Sequence, residues 1–312
     1  MFGNIWLVIV VIFLNALYFA ADNGSQEGGD GVNEISKAEI ASLRGALETL
    51  IKQREEDVAV SFLCLDSDCY LGVNDRLSIH AASTMKVPVM MEVFRQADEG
   101  KFSLNDSILI QNRFRSIVDS SYYALDVAED GGERLYLMIG KKESIRSLVY
   151  DMITYSSNLA TNLLIEQIGA SNVQQFMESL GANDIRVLRG VEDIKAYRAG
   201  RNNTITAKDL ALVFQSIYEG RYWNKSSRDE MLKILFDQTY RDKIPAGLPS
   251  NVKVAHKTGS ITKIDHDSGI IFPVDRSPYV LVVLTRGFEE HEEAQQCIAS
   301  ISKLIYEWYM KE

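Results

Sequence analysis

The chain has 312 residues, of which 46% are hydrophobic, and a formal net charge of −10. That is enough apolar material for a sizeable core in one large or two small domains. An acidic surface repels a phosphate backbone, which argues against a nucleic-acid partner, and three cysteines are too few for a disulfide scaffold.

The first segment, Ile5 to Ala21, is apolar apart from Asn15. It is longer than a usual secretory apolar region and slightly short for a membrane span. Met1 to Asn4 carries no Lys or Arg, and cleavage after Ala20 or Ala21 would put Tyr18 or Phe19 at the −3 position. No Cys follows, which rules out a lipoprotein anchor. A Gly-rich acidic linker, 22–34, then separates this segment from a domain over 35–312. We expect export to the periplasm or the extracellular space. Residues 1–21 are then either a removed signal peptide or a retained membrane tether through residues 5–21.

Ser36 and Glu39 form a capping box before an apolar rhythm at Ile40, Leu43, Leu47, Leu50 and Ile51, which predicts an amphipathic helix. Val58 to Leu65 alternates like a strand. The turn Asp66-Ser67-Asp68 leads into a second strand, Cys69 to Val73, and a local bridge between Cys64 and Cys69 is compatible with export. A helix opening at Ser83 ends at Gly100. Further helices are expected over Ile145 to Tyr155, Asn158 to Ile168 and Asn172 to Leu180. Thr206 and Ser227 read as the N-caps of two more. Arg186 to Asn203 lacks periodicity and reads as a long functional loop.

Strands return at Val252 to His256, Gly269 to Phe272 and Tyr279 to Thr285, with a hairpin turn at Asp275-Arg276-Ser277. A last helix, Glu290 to Met310, carries Cys297 on its core side. Strands split between the two ends must meet in one sheet to bury their apolar faces. The expected fold is therefore α+β. A sandwich part, 35–80 and 250–312, encloses an inserted helical part, about 81–249, with a ligand cleft between them. The four histidines are scattered, so no metal site is expected.

Three short strings carry chemistry. In Ser83-Thr84-Met85-Lys86, positions i and i+3 share a helix face, so a desolvated Lys86 amine can activate the Ser83 hydroxyl. The same spacing recurs at Ser250/Lys253, before a strand, and at Ser300/Lys303, on a solvated helix face. Only Ser83 opens a helix apolar enough to be buried. In Ser156-Ser157-Asn158 a hydroxyl and a carboxamide can point into one cleft, to pass a proton and grip a carbonyl; the bland alternative is that Ser157 or Asn158 caps the next helix. Lys257-Thr258-Gly259-Ser260, at the end of a strand, supplies a cation and two hydroxyls for a carboxylate, with a glycine that lets a substrate pass close. The Ser260 and Ser83 N–H groups could together form an oxyanion hole.

In this order the three strings resemble those of class A β-lactamases and penicillin-binding proteins. The resemblance covers Ile35 to Met310 and includes Thr154 to Leu164 and Ser268-Gly269-Ile270-Ile271. It implies an αβα sandwich with a five-stranded antiparallel sheet, and a serine hydrolase acting on β-lactam amides without metal or organic cofactor. It also implies that Ser83 is the nucleophile, Lys86 its activator, Ser156 the proton shuttle and Asn158 a substrate clamp. Lys257, Thr258, Gly259 and Ser260 form the substrate edge.

Two positions depart from the family pattern. Glu192, in Arg189-Gly190-Val191-Glu192, fits the deacylating base, but the family's Asn four residues on is Ala196. The family's carboxylate-binding Arg is Ser268, for which Arg286 is a substitute. The partner is a small-molecule β-lactam or a cell-wall peptide, and a monomer is expected. A penicillin-binding-protein-like peptidase or esterase is the near alternative. From another class, so is a β-lactam or peptidoglycan receptor that does not turn over.

Overall fold

The computed structural model describes residues 35–311; the apolar segment 5–21 and the linker 22–34 lie outside them. Five strands form the main sheet: β1 (Asp57–Cys64), β2 (Tyr70–Val73), β3 (Lys253–Ile261), β4 (Ile264–Phe272) and β5 (Tyr279–Arg286). Their order is β2-β1-β5-β4-β3, and every neighbouring pair is antiparallel. The first strand therefore lies beside the last, with Asp57 opposite Arg286.

Alternation divides the sheet between two cores. Val58, Val60, Phe62, Val254, Ile271, Leu281 and Val283 face helices α1 (Lys37–Lys52) and α8 (His291–Tyr309). Ala59, Ala255, Ile270, Val280, Val282 and Leu284 face the helices of the middle of the chain. Both faces are covered, which is why β5 reads as an unbroken apolar run. Burying each of the Val, Leu, Ile and Phe side chains among these fully contributes about 1.5–3 kcal/mol.

The helices begin where side chains satisfy their free N–H groups. The expected capping box of Ser36 and Glu39 starts α1. Helix α2 (Lys86–Asp98) is buried along nearly its whole length and tolerates Pro88 because it falls in the first turn. Then follow α3 (Ile145–Thr154), α4 (Asn158–Ile168) and α5 (Ala170–Ser179). Thr206 caps α6 (Ala207–Glu219), which ends at Gly220 with φ +68°. Asn224 caps α7 (Lys225–Phe236) by accepting from the Ser227 N–H, so Ser227 is inside the helix and not its cap.

Other boundaries also shift. The strand expected to stop at His256 continues to Ile261, and its partner begins at Ile264 instead of Gly269. Polar side chains hid both extensions, because Lys257, Asp265, His266 and Asp267 are buried here. Two small ladders, Ser107–Leu109 with Lys142–Ser144 and Phe114–Arg115 with Tyr122–Tyr123, interrupt the helical part. The 186–203 loop closes on itself through the Arg186–Thr204 bridge and contains a short helix, Ile194–Arg198. Cys64 and Cys69 are buried free thiols whose backbones are joined by the Cys64 N–H donating to the Cys69 carbonyl at 3.0 Å, and no bridge joins them.

Candidate active site

A cleft of about 660 Å³ opens between the free edge of β3 and the helical part. Ser83, Ser156, Asn158, Glu192, Thr258, Gly259 and Ser260 all line it. Lys86 and Lys257 lie fully buried beneath, and both reach Ser156 Oγ, at 3.2 and 3.0 Å.

Ser83 occupies a 3-10 turn, Ala82–Met85, and the α-helix proper starts only at Lys86. Residues three apart eclipse in such a turn, so Ser83 and Lys86 stay on one side. The turn packs against β3 where Gly259 stands. A Cβ there would come within 3.0 Å of Ser83 N and 3.2 Å of Ala82 Cβ, which explains the glycine. Ala82 itself has φ +44°.

Lys86 is more committed than the sequence implied. Its ammonium donates to Ser156 O (2.6 Å), Asn158 Oδ1 (2.8 Å) and Ser156 Oγ, and among the described residues no hydrogen bond joins it to Ser83 Oγ. A buried ammonium needs an acceptor for each of its three protons, and a carbonyl and a carboxamide are better acceptors than a hydroxyl. Burial nevertheless pushes Lys86 down to about 7, against the raising fields of Asp130 and Glu192. Lys257 is held well below the usual lysine range by burial, then by Lys86 and Lys243.

Ser156 has φ +61°, a conformation that costs a non-glycine residue about 1–3 kcal/mol. Asp130 fastens the segment that follows it, although no sequence motif pointed to that residue. The buried Asp130 carboxylate accepts from Asn158 N (2.9 Å), Leu159 N (2.8 Å) and Gly132 N (2.8 Å), gathering the start of α4 and its own turn. Ser157 does cap α4, accepting from Ala160 N at 3.2 Å, so the capping role and the cleft role fall on neighbouring residues.

Glu192, at φ +59°, accepts from Asn158 Nδ2 at 2.7 Å and from Asp126 N at 3.4 Å. Burial raises its carboxyl above the usual range. Its loop is fastened from three sides. Asn162 brackets Val191, accepting from its N–H (2.7 Å) and donating to its carbonyl (3.1 Å). Asn203 bonds Leu188 N and Arg189 O at the neck. The buried Asp193 accepts from Ser116 Oγ, Ile117 N and Ala196 N. Ala196 is itself wholly buried and offers Glu192 no polar partner. Asn162→Ala leaves the half-buried Val191 N–H without its acceptor, at a cost of about 1–2 kcal/mol. Calorimetry should show a midpoint roughly 2–8 °C lower.

Arg286 does not line the cleft; its guanidinium pairs with Asp57. A cation that does line it beside Ser260 is Lys243, buried, 2.7 Å from Ser260 Oγ and 2.9 Å from Asp265 Oδ1. Ser268 is buried and donates to Lys257 O. Among the described residues no three His, Cys, Asp or Glu side chains cluster as metal ligands.

Sheet, helical insertion and cleft together put the molecule among the α+β proteins of the β-lactamase and penicillin-binding-protein architecture. It superposes on the structure of PBP-A with a TM-score of 0.75 at 24% identity, covering 87% of this chain and 97% of that one. On a β-lactamase from Sphaerobacter thermophilus the TM-score is 0.72 at 26% identity, covering 89% and 99%. The chain belongs to the Beta-lactamase enzyme family, whose model matches residues 42–309. It is similar to β-lactamase VEB-1 of Pseudomonas aeruginosa, 23% identical over 287 residues, or 88% of this chain and 93% of the relative. The extended-spectrum β-lactamase PER-1 of the same organism is 22% identical, covering 88% and 90%. The molecule is thus a hydrolase of the serine β-lactamase type.

Proposed function

We propose that the protein hydrolyses β-lactam amides through an acyl-enzyme on Ser83. The convergence of Ser83, Lys86, Ser156 and Lys257 on one cleft, with Glu192 joined to Lys86 through Asn158, carries this reading. Lys86 exchanges one of its acceptors for Ser83 Oγ and takes its proton as the oxygen attacks the lactam carbonyl. The free N–H groups at the tip of the Ser83 turn and on the β3 edge favour the oxyanion. Ser156, hydrogen-bonded to Lys86, hands its proton to the departing nitrogen as the C–N bond breaks and takes in its place the proton that Lys86 received. Glu192 then takes a proton from water, whose oxygen bonds to the acyl carbon, and returns it to Ser83 Oγ as the ester bond breaks.

The test follows intact mass and ring opening together after adding a penicillin to the full-length protein. Ring opening with a transient adduct is expected. No adduct and no ring opening would remove β-lactams as substrates. A stable adduct with ring opening stopped at one equivalent would make the protein a β-lactam receptor.

The acylation rate should also depend on pH with a defined sign. Lys86 accepts a proton only when neutral, and burial brings it to about 7. Single-turnover acylation should therefore rise as pH passes upward through about 7 and level off above it. A rate flat from pH 5 to 9 would exclude Lys86 as the base.

A further inference from the structure

The geometry points to Asp265 as a specificity-determining residue: it takes the hydroxyl proton of Ser260 and compensates the charge of Lys243, leaving a neutral, proton-accepting edge where a second anion-binding hydroxyl was expected. The inference rests on the reading of the cleft as a β-lactam site.

Its basis is donor and acceptor chemistry. Ser260 Oγ lies 2.7 Å from Lys243 Nζ and 2.8 Å from Asp265 Oδ1. An ammonium only donates and a carboxylate only accepts, so the hydroxyl accepts from Lys243 and gives its single proton to Asp265. Lys243 has no donor to spare. Its three protons face Ser260 Oγ, Asp265 Oδ1, Gly259 O (3.3 Å) and His266 O (3.4 Å).

The Asp265 carboxylate is fixed from both ends. Its second oxygen lies 2.6 Å from Nδ1 of the half-exposed His291, at the start of α8, while its own side chain is only 2% exposed. Ser260 therefore presents the cleft with a lone pair backed by a compensated ion pair. Such an edge suits a substrate N–H and gives nothing to a carboxylate. The carboxylate is left to Thr258 Oγ1, which carries no hydrogen bond among the described residues, and to the field of Lys257.

The test compares a penicillin with its methyl ester in the wild type, Asp265→Asn and Asp265→Glu. Uncovering the charge of Lys243 should lower KM for the acid about tenfold, leaving the ester KM and kcat nearly unchanged. Asp265→Glu should keep the parental acid-to-ester ratio. A merely structural role would move acid and ester alike, or lower kcat, and would overturn the proposal. Neutron diffraction from deuterated wild-type crystals reads the same point without a variant or turnover. The Ser260 deuteron should lie on the line to Asp265, and one aimed into the cleft refutes the assignment. A wild type that opens no lactam overturns the functional reading alone, since the deuteron still decides this one.

Discussion

Ser83→Ala should lose both the penicillin adduct and ring opening, with a fall in kcat on the order of 10⁶-fold, the scale set by removing a serine nucleophile. The residue lines the cleft at the tip of a turn packed on Gly259, so an alanine there leaves the fold intact. The thermal midpoint should accordingly hardly change. Intact mass after hours with excess penicillin, beside a calorimetric scan, separates chemistry from folding. An adduct of parental amount in Ser83→Ala would place the nucleophile elsewhere and end the assignment.

Glu192→Gln should act on the other half of the cycle. Removing a general base slows a step by roughly 10²–10⁴-fold, and the step in question is release of the acyl group. The glutamine keeps an oxygen for Asn158 Nδ2, so the clamp survives while proton abstraction does not. The adduct should therefore persist in the mass spectrum while ring opening stops after one equivalent. Because burial raises the wild-type Glu192 carboxyl, release should weaken as pH falls towards that raised value. Unchanged release in Glu192→Gln would move the base to another residue. The absence of a side-chain partner at Ala196 makes this the sharper of the two measurements.

Much of the fold was legible because its signals are local. Capping residues at Ser36 and Thr206, the alternation of β1, the unbroken apolar run of β5 and the glycine after α2 each declare an element within a few positions. The three strings were legible for the same reason, since each compresses its chemistry into four residues or fewer. Asp130, Asp193, Lys243 and Asp265 were not. Each is an ordinary charged residue until folding buries it beside a partner, as Lys243 is beside Asp265, 22 positions on. The missing Lys86–Ser83 bond has the same origin. Spacing places two groups on one side of a helix, but the acceptors supplied by Ser156 and Asn158, about 70 residues away, decide where the proton-bearing end goes.

Placing the first strand against the last has a consequence for how activity is acquired. Asp57 cannot find Arg286 until nearly the whole polypeptide is available, and the edge that receives substrate hangs on that late pairing through β5 and β4. Long-range pairing of this kind is slow and leaves apolar strands uncovered meanwhile. Competence should thus arrive in a single late step, and a nascent chain stalled before Tyr279 should contain every catalytic side chain and no working catalyst.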